Sequence, residues 1–131
     1  MIVSAQVLFL GFIGLVLLLN VVRFLRTRSV PRYSPSEVAY RIADHDHPVL
    51  LDVRTDRERA FEHIKGSLHI PLQQLRARAH ELQSHRQREI VCYCQSGNRS
   101  LSAAMILQKH GYRAASLRGG IVDWNFSQRP S

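Results

Sequence analysis

The sequence predicts an α/β fold: a mostly parallel sheet of about five short strands with helices on both faces, preceded by one transmembrane helix. Three observations predict it. Short apolar runs alternate with helix-like stretches from Ser34 to Trp124, the order that parallel strands require, because each connection must cross back to the starting edge. The runs Val49-Leu50-Leu51-Asp52-Val53 and Ile90-Val91-Cys92-Tyr93 are continuous rather than alternating, as strands covered on both faces are. A separate stretch, Ile2 to Val22, carries no charge at all.

That stretch comes first in the chain, and its center, Val7-Leu8-Phe9-Leu10-Gly11-Phe12-Ile13-Gly14-Leu15-Val16-Leu17-Leu18-Leu19, is almost wholly apolar. At helical rise it spans about 30 Å, the thickness of a bilayer's hydrocarbon core. A signal peptide would carry basic residues ahead of a shorter apolar core and a small-residue cleavage site behind it. Here no basic side chain precedes the run, and Asn20-Val21-Val22-Arg23-Phe24 offers no such site. The expectation is an uncleaved anchor over residues 1–23, a basic linker over 24–33 and a folded domain over 34–128. Arg23, Arg26, Arg28 and Arg32 cluster just after the span. By the positive-inside rule the chain is then a single-pass membrane protein whose domain faces the cytoplasm, with the lipid bilayer as a partner.

Val30-Pro31-Arg32-Tyr33 reads as an extended lead into the domain. Ser34-Pro35-Ser36-Glu37 has the capping-box pattern with proline at the first helical position, predicting a helix to about Ala43. His47-Pro48 closes a polar turn before the strand at 49–53. Thr55 and Glu58 repeat the capping-box spacing and start a short helix toward Phe61, and Leu68-His69-Ile70 is a brief strand closed by Pro71. Over residues 72–83, Leu72, Leu75, Ala79 and Leu82 recur at intervals of three and four, predicting an amphipathic helix with its basic side outward. The strand at 90–93 feeds a polar loop. A helix beginning near Arg99 buries Leu101, Ala104, Met105 and Leu107 and stops at Gly111. Ala114 to Leu117 is the last strand, and Gly119-Gly120 turns into a short helix holding Trp124.

Composition narrows the function. Of eighteen basic residues, four flank the apolar run, leaving fourteen against ten acidic ones beyond Tyr33. No stripe of aromatic and basic side chains accompanies them, so no nucleic-acid partner is expected. Cys92 and Cys94 are the only cysteines, and their spacing along a strand strains a mutual disulfide. The histidines show no zinc-like spacing to them, so neither a metal nor a cofactor is expected.

The chemistry concentrates in Cys94-Gln95-Ser96-Gly97-Asn98-Arg99-Ser100. A strand before it and a helix after it put the Cys94 sulfur at a helix N-terminus, where unpaired N–H groups and the helix dipole hold anions. A thiolate there is stabilised and nucleophilic at neutral pH. Gly97 and Asn98 tolerate left-handed backbone angles, which lets the N–H groups from Gln95 to Ser100 turn inward around the sulfur. Read from these residues alone, a buried structural thiol in an ordinary strand-to-helix connection fits equally well.

Cys94 to Ser100 resembles the active-site loop of rhodanese-type sulfurtransferases. Upstream, Leu50-Leu51-Asp52-Val53-Arg54 with Glu58, Phe61 and His63-Ile64-Lys65-Gly66-Ser67-Leu68-His69-Ile70-Pro71 is similar to the first half of a rhodanese domain. Downstream, Gly111-Tyr112 and Leu117-Arg118-Gly119-Gly120-Ile121-Val122-Asp123-Trp124 are similar to its end. The likeness runs over about residues 34 to 126. Glu62 stands where the family usually has a turn glycine, and Arg59 where an aromatic is common, which bears on local turn geometry.

The resemblance implies a rhodanese-like fold and a sulfurtransferase in which Cys94 is catalytic. Its thiolate takes the outer sulfur of a small sulfur donor such as thiosulfate, or of a persulfide, and yields it to a thiol or cyanide acceptor. Gln95, Ser96, Gly97, Asn98, Arg99 and Ser100 would bind the substrate, with Arg99 as partner for a sulfonate oxygen. Asp52 and Arg54 would support the site, more as an ion pair bracing the loop than as substrate contacts. Cys92 is expected in the core. Related phosphatases place five residues between cysteine and arginine; here Gln95 to Asn98 make four, a smaller ring suited to sulfur. The alternative is a sulfur-carrier or adaptor module loaded by a sulfur-relay protein, with little thiosulfate turnover.

Overall fold

The computed structural model describes residues 3–27 and 30–131; the expected flanking charge Arg28, like Met1, Ile2 and Ser29, lies outside the described residues. Helix α1, Ala5–Thr27, comes first. Its segment Ala5–Leu25 is long and apolar enough to cross a membrane, with a mean hydropathy of 2.4 and none of it buried.

Five strands follow: β1 (Arg32–Tyr33), β2 (Val49–Asp52), β3 (Leu68–His69), β4 (Ile90–Tyr93) and β5 (Ala114–Leu117). They form one sheet in the order β1-β5-β4-β2-β3, and every pairing is parallel. The extended lead into the domain is therefore an edge strand, held by Arg32 opposite Ser116 and Tyr33 opposite Leu117. The helices are α2 (Pro35–Ala43), α3 (Asp56–Phe61), α4 (Leu72–Arg78), α5 (Asn98–Lys109) and α6 (Gly120–Ser127). Both expected capping boxes form, Ser34 with Glu37 and Thr55 with Glu58; each satisfies two N–H groups that the first turn leaves unpaired.

The alternation of side chains along β4 divides the interior in two. Ile90 and Cys92 face a core with Leu75, Leu82, Ala103, Ala104 and Leu107 from the α4–α5 side. Val91 and Tyr93 face the opposite core with Val38 of α2 and Ile121 of α6. Truncating a leucine such as Leu107 in so enclosed a place costs about 2–5 kcal/mol. Continuous apolar strands are thus the sequence trace of a sheet covered on both sides.

One element differs from expectation. The helix predicted over 72–83 is α-helical only to Arg78, and Ala79–His85 continues as a 3-10 helix. The Tyr112 hydroxyl donates to the Ala79 carbonyl at 2.7 Å, occupying an acceptor that the next α-helical turn would use, and the chain tightens from there.

Candidate active site

Cys94 is the first residue beyond β4, the central strand, at the carboxyl end of the sheet where open α/β folds hold ligands. The Gly97 and Ser100 N–H groups donate to its Sγ at 3.1 and 3.4 Å, and the Ser96 N–H joins them. The Ser100 hydroxyl lies 3.5 Å from the sulfur.

The amides point inward because the carbonyls are held outward. The Ile121 N–H donates to the Cys94 carbonyl at 2.9 Å, and the Val122 N–H to the Gln95 carbonyl at 3.4 Å. A planar peptide sends its N–H opposite its C=O, so tethering the Gln95 carbonyl to α6 drives the Ser96 N–H toward the sulfur. That tether needs Gly120, whose φ is +61° and where a Cβ would run into the Cys94 and Gln95 carbonyl oxygens. Gly97, at φ 109°, makes the left-handed turn before α5. Asn98 does not share that conformation; it is the first residue of α5.

Burial raises the Cys94 pKa, but the Ser100 hydroxyl and the N–H groups of Ser100, Gly97 and Ser96 outweigh it and hold the thiol below its ordinary range. Cys92, on the same strand, has burial without donors and is pushed far up; it is core, as expected. The sulfur of Cys94 is not freely open to solvent. The residue is only 1% exposed, so a donor reaches it by entering the ring of amides. Behind it, the Ser100 and Ser116 hydroxyls lie 2.7 Å apart, both buried.

Asp52 and Arg54 form a buried pair, 0% and 1% exposed. Arg54 donates Nε to Asp52 Oδ1 at 3.0 Å and Nη2 to Oδ2 at 2.9 Å. Its Nη1 donates to Gln95 Oε1 at 3.3 Å, so the pair braces the loop and turns the Gln95 side chain toward Arg54. The Tyr93 hydroxyl donates to Asp52 at 3.0 Å and accepts from the Ile64 N–H at 3.1 Å, joining the strand to the segment before β3.

Arg99, expected as partner for a sulfonate oxygen, donates through both terminal nitrogens to the Glu58 carboxylate at 2.7 Å. Arg59, standing where an aromatic was expected, donates to the Ser67 carbonyl at 2.8 Å and lies 3.4 Å from Asp52. Glu62 needs no glycine, since its φ of −159° is extended backbone. No site role for Glu58, Gly120 or Ser116 is legible in the sequence: Glu58 reads as a cap and Gly120 as a turn, both within family-like segments, and nothing marks Ser116.

The rhodanese-like domain family matches residues 34–127. A sulfurtransferase of Allochromatium vinosum is 38% identical over 88 residues, covering 66% of this chain and 80% of that protein. A putative sulfur carrier protein of Bacillus subtilis, YrkF, is 34% identical over 97 residues, 73% of this chain and 51% of its own length. The crystal structure of a rhodanese-related protein from Thermoplasma volcanium superposes with a TM-score of 0.68 at 28% identity, covering 76% of this chain and 95% of that one. Fold, loop and kinship agree: the chain belongs to the rhodanese-like domain family.

Proposed function

We propose that this protein is a rhodanese-type sulfurtransferase working through a Cys94 persulfide. The observation that carries the reading is the set of donors on one sulfur: the N–H groups of Ser96, Gly97 and Ser100, with the Ser100 hydroxyl 3.5 Å away. Such donors stabilise a thiolate before reaction and an anionic persulfide after it. With thiosulfate, Sγ attacks the outer sulfur, the sulfur–sulfur bond breaks, and sulfite leaves with the bonding pair. Cyanide or a thiolate then attacks the terminal sulfur of the persulfide, and the Cys94 thiolate departs. Two half-reactions make the kinetics ping-pong. Substrate binding falls to the main chain of the loop, with Gln95, Asn98 and Arg99 shaping its rim and Asp52 and Arg54 supporting it. The test is mass spectrometry of the protein after incubation with thiosulfate. One sulfur atom on Cys94, released by cyanide, is expected; no gain with thiosulfate or with any persulfide donor overturns the reading.

A second reading, a carrier loaded by a protein, is favoured by two observations. Glu58 occupies the arginine that would greet a small anion. Phe61 of α3 and Phe126 of α6 are 87% and 72% exposed, on helices joined by Asn125 donating to Glu62 at 3.0 Å. Sulfur loading compared across thiosulfate, small persulfides and persulfidated proteins separates the two.

The membrane reading is also a proposal. The length and apolarity of Ala5–Leu25, with Arg23 in its last turn and Arg26 just after it, support a single-pass anchor and a cytoplasmic domain. Retention in alkaline-washed membranes, with the domain shielded from protease outside intact cells, is expected. Release by alkaline washing overturns it.

A further inference from the structure

The sheet has two unlike ends. Cys94 lies at the carboxyl end; the amino ends of β1, β5, β4 and β2 share the other, with the turns that feed them. Those turns touch one another: Arg88 Nε donates to the His47 carbonyl at 2.7 Å, and Arg113 Nη2 to the Gln87 carbonyl at 3.2 Å. The amino end carries Arg32, Arg86, Arg88, Lys109 and Arg113. Arg86 bonds Gln83 and the His110 carbonyl and stacks on Tyr112 at 4.3 Å. Among the described residues none of the five pairs with a carboxylate. Of the acids nearby, Asp46 and Glu89 are both held by Arg41, at 2.6 Å each, which leaves Asp44. Around Cys94 at the carboxyl end, Arg54 and Arg59 share Asp52 and Arg99 is matched by Glu58, which leaves Arg118 beyond β5 without a carboxylate partner among the described residues.

The second observation is where the chain enters. Helix α1 ends at Thr27 and β1 begins at Arg32, a gap that even extended chain spans in no more than about 17 Å. Strand β1 runs parallel to β5, so the chain arrives at the amino end of the sheet. Neighbouring strands are about 5 Å apart, which puts the turns before β5 and β4 within about 10 Å of that point.

We infer that the amino end of the sheet is a docking face for anionic lipid headgroups, seating the domain on the bilayer with the Cys94 loop turned away from it. The inference rests on the anchoring reading above. The short tether holds the unpaired cations near the headgroups, within roughly a Debye length, where the attraction is strongest. Along β4 the loop then stands up to about 13 Å farther from the bilayer than Ile90. Donor and acceptor therefore come from the aqueous phase, not from within the membrane.

The test uses the full chain reconstituted with phosphatidylcholine vesicles, with and without phosphatidylglycerol. Flotation with both kinds is expected from the anchor. Amide exchange over 85–89 and 110–113 should be at least about threefold slower with phosphatidylglycerol, return toward the neutral-lipid rate in high salt, and lose the difference in Lys109→Gln/Arg113→Gln. Exchange over 94–100 should not change, and sulfur transfer by the double variant should match the parent, which reports its folding. A further variant, Arg88→Gln, keeps the test open should the double variant misfold. Flotation with both vesicles but equal exchange in each overturns the docking face and leaves the anchor standing. Flotation only with phosphatidylglycerol, reversed by salt, overturns the anchor and supports the face. Protection by an added acidic protein or nucleic acid and not by phosphatidylglycerol overturns the lipid assignment.

Discussion

The Arg99 guanidinium, in the first turn of α5, donates through both terminal nitrogens to the Glu58 carboxylate of α3 at 2.7 Å. Glu58 also caps α3, accepting from the Thr55 N–H at 3.2 Å. One carboxylate thus caps the start of a helix, pins the active-site loop to it and offsets the positive charge of Arg99. Bonding to Arg99 lowers its pKa to about 2.

Glu58→Gln is expected to lower KM for thiosulfate about threefold to tenfold, with kcat little changed, because Arg99 regains its net charge toward an anion. The gain should fade at high salt. Steady-state kinetics at two ionic strengths check this; an unchanged KM would show that Arg99 does not face the donor.

The same carboxylate predicts an acid limb of stability. Its folded pKa lies below that of the unfolded chain, so its contribution is fully present above about pH 4.5 and fades as pH falls toward about 2. Both partners keep about a third of their surface in solvent, so the contribution is about 1 kcal/mol. Denaturant melts from pH 6 to 3 should give Glu58→Gln a flatter profile than the parent; parallel profiles count against the pair.

Activity should fall on the acid side as the Cys94 thiolate is protonated, with a midpoint below the ordinary thiol value of about 8.5. Ser100→Ala raises that midpoint, since it deletes a direct donor. Ser116→Ala should raise it less, because Ser116 reaches the sulfur only through Ser100, whose hydroxyl lies 2.7 Å from that of Ser116 and also donates to the Gly97 carbonyl at 3.1 Å. Thiolate absorbance against pH reads all three; a Ser116→Ala shift equal to or larger than that of Ser100→Ala refutes the relay.

Gly120→Ala should lower transfer at least about tenfold and cost about 1–3 kcal/mol, since the added Cβ meets the Cys94 and Gln95 carbonyls at a positive φ. The thiolate midpoint should rise with it, as the amides swing off the sulfur. A variant of parental activity would show that the α6 tether does not orient the loop.

Arg54→Met leaves Asp52 in the interior with weaker compensation from Arg59 and should cost about 3 kcal/mol or more. Thermal or denaturant unfolding measures it. A loss below about 1 kcal/mol would mean that water replaces the guanidinium.

Much of this was legible in the chain because it is local. Continuous apolar runs at 49–53 and 90–93, the Ser34 and Thr55 capping boxes, and the glycines at 97, 111 and 119–120 each state their conformational demand within a few residues. A cysteine between a strand and a helix likewise locates its own donors, for the N–H groups that hold it belong to the next six residues.

What only the tertiary structure decided are the contacts between segments far apart in the chain. Glu58 meets Arg99 across 41 residues, Arg54 meets Gln95 across the same span, and Ser100 meets Ser116 from the neighbouring strand. The 3-10 turn after Arg78 follows from a tyrosine 33 residues downstream of Ala79. Sequence alone determined which sulfur would sit among amides, because backbone hydrogen bonding depends on near neighbours. Which charges those amides compete with, and which way the loop faces, depended on strand order, which no local pattern encodes.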